Sequence, residues 1–580
     1  MPLSALNEKT SVDDATLRNL SEGDVIVTEK AGSKADDSTI RTSTPRTATS
    51  SNDVVVEDDS LTRINTSQDG TEYPTGVKLG LISLALCLSV FLIALDNTII
   101  ATAIPKITDQ FHSLPDVGWY GSAYLLTTAS FQLLFGKFYT FFSIKYVYLI
   151  AIGIFELGSL ICGVAPNSTA LIVGRAIAGL GSAGIFSGAL IIVAYSVPLV
   201  KRPMYSGFIG GMYGIASVAG PLLGGAFTDK ATWRWCFYIN LPIGAITMLV
   251  ILIFFKAPHR EKAQSAGWRE DIKVFDLYGT AVFLPAIVCL LLALQWGGTK
   301  YTWGSWRIII LFIFSGILIS AFVAIQFWKQ ETATVPPKIM KNRTMWSASF
   351  FSFTLGAAFL LLVYFLPIWF QAVKDASAVK SGIMNIPMVL SLIVLSILSG
   401  ILVTVIGYYA PFMILSSVFF AIGAGLLSTL TPESDHSKWI GYQCIAGIGI
   451  GLGMQQSLIA VQTVLDISLV PIGTSIVIFL QTLGGALFVS IGLNVFTNEL
   501  VESLGKYAPD VNPLIVLSIG ATSLQKDLPA DQLPGVKLAY NAALTQAFLV
   551  AAVMAALTII GAAAVEWKSV KGKKIEMAAA

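Results

Sequence analysis

Three ionisable side chains of this sequence stand in long apolar runs. Asp96 is the only formally charged residue between Lys78 and Lys106, in LSVFLIALDNTIIATAIPKI (88–107). Glu156 lies in IGIFELGSLICG (152–163) and Arg175 in LIVGRAIAGLGSAG (171–184). An acid in hydrocarbon persists only if it faces a polar cavity, finds a partner or takes up a proton. Burial favours the neutral carboxyl and an aqueous vestibule the ionised one, so a carboxyl wetted first from one side and then from the other loads and unloads a proton. Asp96 is the leading proton site on these grounds and Glu156 a second; a permanently neutral, hydrogen-bonded carboxyl is the alternative for each. The Arg175 guanidinium stays charged and is the natural electrostatic partner, with a purely structural ion pair as its alternative role.

Other chemistries lack their residues. Cys87, Cys162, Cys236, Cys289 and Cys444 fall singly, with no CxxC or histidine-spaced cluster, so no metal is expected. The only histidines are His112, His259 and His436, and no constellation suits an enzyme. GLGSAG (179–184) matches a dinucleotide fingerprint but lies within an apolar span, where small residues serve close helix contact instead. No GxxxxGK[ST] occurs, so no ATP site or other cofactor is expected, and energy must come from a gradient or another subunit. Lysines and arginines are scattered through short connections at a net charge of +2, which excludes nucleic acid as a partner.

The elements that carry the three residues are membrane helices. The chain of 580 residues is 54% hydrophobic and 12% charged, against about 25% charged in a soluble domain, and its mean hydropathy is +0.72. This composition predicts an all-α polytopic membrane protein of fourteen spans, the first near 77–100 and the last near 543–565. Residues 1–75 are polar and read as a disordered tail without a signal peptide. An even number of spans puts both termini on one face. The clusters in 256–273, 329–343 and 568–574 share that face and predict it to be cytosolic. Residues 497–542 are expected to form a large outer loop and 567–580 a basic tail able to touch anionic lipid.

Internal repetition organises the spans. GRAIAGLGSAG (174–184) lines up with YQCIAGIGIGLG (442–453), setting Gln443 opposite Arg175, and GPLLGGAF (220–227) lines up with QTLGGALF (481–488). Both pairs are eight spans apart. The expected plan is two six-helix bundles, 76–256 and 346–566, with an inserted helix pair in 257–345, as in transporters built from parallel repeats. The fifth span carries Gly214, Gly220, Gly224 and Gly225 with Pro221; the glycines suit close packing and the proline a bend, which together could control leakage at the repeat interface.

GIASVAGPLLGG (214–225) resembles the antiporter signature of the major facilitator superfamily, ALDNTIIATAIPKI (94–107) its helix-one motif and LIVGRAIAGLGSAG its helix-four motif. With WRWCFYINLPIG (233–244), read as an interfacial anchor starting the sixth helix at Pro242, the chain resembles the fourteen-helix drug:proton antiporters, especially fungal efflux pumps, over roughly residues 75–570. The resemblance implies that Arg175 assists proton transfer or tunes a carboxylate. One departure stands out: after Gly136, the inner loop has Thr140, Phe141, Ser143 and Ile144 where the family has its acid, first basic residue and Gly-Arg. Lys137 and Lys145 leave positive charge there, so packing or other charges are expected to control the inner gate.

Asn385, Gln455, Gln456 and Gln481 are candidate cargo contacts, with interhelical hydrogen bonding as the alternative. The implied activity is proton-driven export of a hydrophobic or amphipathic small molecule, such as a fungal toxin, secondary metabolite or antifungal drug, by a plasma-membrane monomer whose partners are cargo, protons and lipid. Uptake or exchange of a siderophore, amine or sugar, and a non-transporting membrane sensor, are the alternatives.

Overall fold

A computed structural model describes residues 73–113, 116–257, 276–298, 300–518, 524 and 528–571. Most of the expected N-terminal tail, most of the 256–273 connection and residues 572–580 lie outside the described residues.

The chain forms α1 (Gly76–Phe111), α2 (Val117–Phe141), α3 (Ile144–Val164), α4 (Ser168–Ser196), α5 (Arg202–Lys230), α6 (Trp235–Phe254), α7 (Leu277–Trp296) and α8 (Trp306–Lys329). The remaining long helices are α9 (Arg343–Ala372), α10 (Ile386–Ile406), α11 (Ala410–Leu427), α12 (His436–Val464), α13 (Val470–Tyr507) and α14 (Leu533–Ala564). Thirteen are long and apolar enough to cross a membrane. The other, α2, interleaves Gly, Ser, Thr and Gln with apolar residues; its 25 residues rise about 37 Å and suffice in length.

Proline opens five of the helices, at Pro203, Pro387, Pro411, Pro471 and Pro534, where no intrahelical N–H is lost. Asn167 caps α4 by accepting from the Ala170 amide at 2.9 Å, and Asn342 caps α9. Gly407, at φ 95°, turns α10 into α11 in a conformation that disfavours a side chain.

Three helix ends differ from the sequence expectation. α13 runs on to Tyr507 and α14 begins at Leu533, so much of the segment expected as an outer loop is helix. These overhangs are amphipathic: Phe496, Leu500, Ser503 and Leu504 are buried, as are Val536, Ala539, Tyr540 and Ala543. Hydropathy alone stops at their charged faces. α6 gains a short first turn, Trp235–Tyr238, ahead of the Asn240–Phe254 helix that begins two residues before Pro242; Arg234 donates to the Gly163 and Ala165 carbonyls at 3.0 and 2.8 Å and fixes that turn against the end of α3.

The repeat is visible in the packing. A Cβ at Gly158 would lie 2.3 Å from the Ala178 nitrogen, and one at Gly423 2.3 Å from the Ala446 nitrogen. Gly181 abuts Phe155 as Gly449 abuts Phe420, and Gly179 meets the Tyr124 carbonyl as Gly447 meets that of Met388. The α3–α4 and α11–α12 crossings are thus the same contact made twice.

α7 and α8 pack on each other through Phe283 and Phe322, 4.9 Å between ring centroids. α7 also meets α13 through Phe479 and α2 through Gln295, which donates to Ser122 at 2.6 Å. α8 turns Ile310, Ile313, Phe314 and Ile317 outward, the surface a lipid-facing helix presents.

The face holding the start of α1 and the end of α14 is here called the terminal face. There Lys137 at the end of α2 donates to the Thr332 carbonyl at 3.2 Å, Tyr195 in the last turn of α4 donates to the Ile467 carbonyl at 2.9 Å, and Val570 donates to the Gly407 carbonyl at 2.8 Å.

Candidate functional site

The α3–α4 crossing brings Arg175 beside residues of α1 and α2. Its Nη1 donates to Asp96 Oδ2 in an ion pair, and neither side chain is exposed. Nε donates to the Tyr120 carbonyl at 2.8 Å, and the guanidinium carbon lies 4.5 Å from the Tyr124 ring centroid, a cation–π contact. Asn240 of α6 completes the group: its Nδ2 donates to Asp96 Oδ1 at 3.2 Å and to Ser159 Oγ at 3.1 Å.

Asp96 therefore points inward among α3, α4 and α6. Arg175 is seven residues from the start of α4, so the pair lies toward the face opposite the termini. Glu156, one turn along α3 from Ser159 and nearer the terminal face, packs against Gly244, one turn along α6 from Asn240. A Cβ at Gly244 would lie 1.7 Å from Glu156 Oε1. Both Glu156 oxygens are buried without a hydrogen-bond partner. Asp96 and Arg175 thus form one group with Asn240 and Ser159, which the sequence did not single out, while Glu156 lies one helical turn along α3 from Ser159. A signal was present: Asn240 is the single amide of NLPIGAITMLVILIF, in which Thr247 is the one other polar side chain.

The glycines of α5 divide between two neighbours. Gly214 faces Ile393 of α10, whereas Gly220 and Gly224 face Thr98 and Thr102 of α1, at 2.3, 2.2 and 2.1 Å for an added Cβ. Gly225 has open space. α5 stays a single helix through Pro221, and Thr98 ties it to α1 by donating to the Ala216 carbonyl at 3.1 Å.

Toward the terminal face the two halves are tightly apposed. Gly136 meets Ser475 of α13, Gly207 the Ser396 carbonyl, and Gly400 the Pro203 carbonyl. Lys137 and Lys145 do not form one cluster: Lys137 is buried and reaches the segment after α8, while Lys145 donates to the Leu252 carbonyl at 2.6 Å. Behind Lys137, Asp276 accepts from Gly279 N at 2.9 Å and from Gln326 Nε2, Thr334 N and Thr334 Oγ1 at 3.0 Å, clasping the start of α7 to the segment after α8.

The four amides are dispersed. Gln455 and Gln456 are buried at the break in α12; Gln455 presses on Gly210 with neither amide atom partnered, and Gln456 donates to Ser399 Oγ at 3.3 Å. Asn385 sits at the joint between the short helix Ala378–Met384 and α10, and Gln481 packs its backbone on Gly356. A pocket of about 290 Å³ opens between the α7–α8 turn and α13, lined by Lys300, Trp303 and Asn494 among others; it holds none of the candidate residues.

The WRWCFY run is more than an interfacial anchor. Trp235 is exposed, but Trp233 is buried and donates to Gln110 Oε1 of α1 at 2.7 Å.

The sequence matches the Major Facilitator Superfamily over residues 86–489. It is 62% identical over 527 residues to the MFS-type efflux pump MFS1 of Arthroderma benhamiae, covering 90% of this chain and 98% of that one. It is 57% identical over 490 residues to the efflux pump roqT of Penicillium rubens (84% and 91% covered). It is 51% identical over 509 residues to the efflux pump aflT of Aspergillus parasiticus (88% and 99% covered). Among solved structures, the human organic anion transporter MFSD10 is similar at a TM-score of 0.53 and 13% identity, over 82% of this chain and 99% of that one. The proton:xylose symporter XylE is similar at 0.53 and 12%, over 80% and 98%. At these identities the likeness is one of fold.

Proposed function

Because this chain belongs to the Major Facilitator Superfamily, we propose that it exports a hydrophobic or amphipathic small molecule, of the toxin, secondary-metabolite or drug class, by proton-coupled alternating access. Relatives at 51–62% identity that are named efflux pumps support the direction of transport. The observation that carries proton coupling is the Asp96–Arg175 ion pair, two charges kept out of solvent in a membrane-spanning bundle. Such a pair is a costly way to build a bundle and a useful way to build a switch: parting it exposes a carboxylate that must find a proton.

In this scheme the terminal face is cytosolic and the membrane is the plasma membrane. Lys201, Arg202, Lys329, Lys338, Lys341 and Arg343 lie at helix ends on that face, against the acids Asp276, Glu331, Asp466 and Glu566, which supports the orientation. Cargo enters when the Gly136–Ser475 and Gly207–Ser396 contacts part. Gln455, unpartnered on Gly210, is the amide best positioned to meet it. Cargo leaves on the opposite face, where protonation of Asp96 favours the return.

The test is uptake into inside-out vesicles with an acidic interior, using a panel of fluorescent amphipathic compounds. Gradient-driven uptake of at least one compound supports the reading, and accumulation that ignores the gradient counts against it.

A further inference from the structure

Glu156 is a second acid in the same layered contact, and the ion pair does not account for it. Both of its oxygens are buried without a hydrogen-bond donor. The charged groups facing this region are Asp96 of α1 and Arg175 of α4, already joined to each other, and α2 adds Tyr124, stacked under the guanidinium. α6 brings no titratable side chain between Asn240 and Phe254; it sets Gly244 on the Glu156 carboxyl and, one turn away, joins Asn240 to Ser159 and Asp96. An ionised carboxylate without a donor, close to a second carboxylate, is the least favourable occupant of such a place. A neutral acid suits it.

We propose that Asp96 and Glu156 share one exchangeable proton, and that in the conformation described here it resides on Glu156 while Asp96 is ionised against Arg175. The proposal rests on the proton-coupled reading above. Withdrawal of Arg175 removes the cation that holds Asp96 ionised; the Glu156 carboxyl then gives up its proton and the Asp96 carboxylate takes it, and a proton entering from the opposite face restores Glu156, so that one proton is drawn from the gradient in each cycle. Glu156 is thus the proton's lodging in one half of the cycle and Asp96 in the other, and Asn240 ties Asp96 to Ser159 on the helix that carries Glu156.

The experiment uses the full-length protein in liposomes, with infrared spectra of the neutral-carboxyl C=O stretch at neutral pH. The wild type is expected to show a band that Glu156→Gln removes and Asp96→Asn retains; Glu156→Asp should retain it at a shifted frequency. A band unchanged in Glu156→Gln overturns the assignment, whichever other variant loses it. Transport read in the same liposomes separates the two claims. A wild type indifferent to an imposed pH difference defeats the proton-coupled reading, whereas a gradient-driven wild type matched by an equally gradient-driven Glu156→Gln defeats the Glu156 assignment alone.

Discussion

Arg175 and Gln443 occupy the same place in two copies of one helix crossing, and only one of them is charged. Around both, glycines seat α4 on α3 and α12 on α11 in the same way. Arg175 reaches Asp96 and the Tyr120 carbonyl, whereas Gln443 donates to the Met384 carbonyl at 3.0 Å. The duplicated scaffold therefore holds an ion pair at this place in its first half and a neutral hydrogen bond in its second.

The first prediction follows from that asymmetry. Asp96→Asn keeps the shape of the side chain and removes the titratable site, so gradient-driven transport should fall to the level of vesicles lacking the protein while expression holds. Gln443→Leu should leave the pH dependence of transport unchanged. Vesicle uptake against imposed pH differences checks both.

The ion pair should also show in stability. Asp96→Leu leaves a buried guanidinium without its anion, an expected loss of about 3–5 kcal/mol. Adding Arg175→Met should recover most of it. Thermal unfolding of the two single variants and the double variant in detergent measures the coupling, and additive losses would contradict the pairing.

Glycines of the α5 signature should separate by neighbour. Gly224→Ala drives a methyl group against Thr102 and Ile99 and should cost about 1–3 kcal/mol as overpacking. Gly225→Ala meets open space and should stay within about 0.5 kcal/mol. Equal effects would mean that α1 and α5 are not held together at Gly224.

Closure of the terminal face is testable by cross-linking. A Cβ at Gly136 would lie 2.7 Å from that of Ser475, so the pair Gly136→Cys and Ser475→Cys needs only a slight easing of the helices to reach disulfide spacing. Oxidation should stop transport and reduction restore it. Uninterrupted turnover of the oxidised protein would show that this contact never has to open.

The Asp276 clasp should matter to the inserted pair rather than to coupling. Asp276→Ala strands the Thr334 amide and the Gln326 side chain, which Asp276 now serves as acceptor, at roughly 1–3 kcal/mol for each buried donor left unpaired. A lowered melting temperature with an unchanged pH dependence of transport is the expected combination.

By itself the sequence determined that this is a helical membrane protein of two repeats with a pair of helices between them. Long uncharged runs admit one economical backbone in lipid, and glycines recurring at matched positions specify matched crossings. It also singled out Asp96, Glu156 and Arg175, because charge in an apolar run stands out against any background. Only the tertiary structure decided what these residues face. A helix apolar on all sides carries no periodic signal to fix its rotation about its own axis, so Asn240 could not be assigned to Asp96, nor Lys137 to Thr332, nor Gln455 to Gly210, until the helices had packed. The helical overhangs at 497–507 and 533–542 were hidden for the complementary reason: there a periodic pattern exists, but its charged face ends a hydropathy window while its buried face continues the helix.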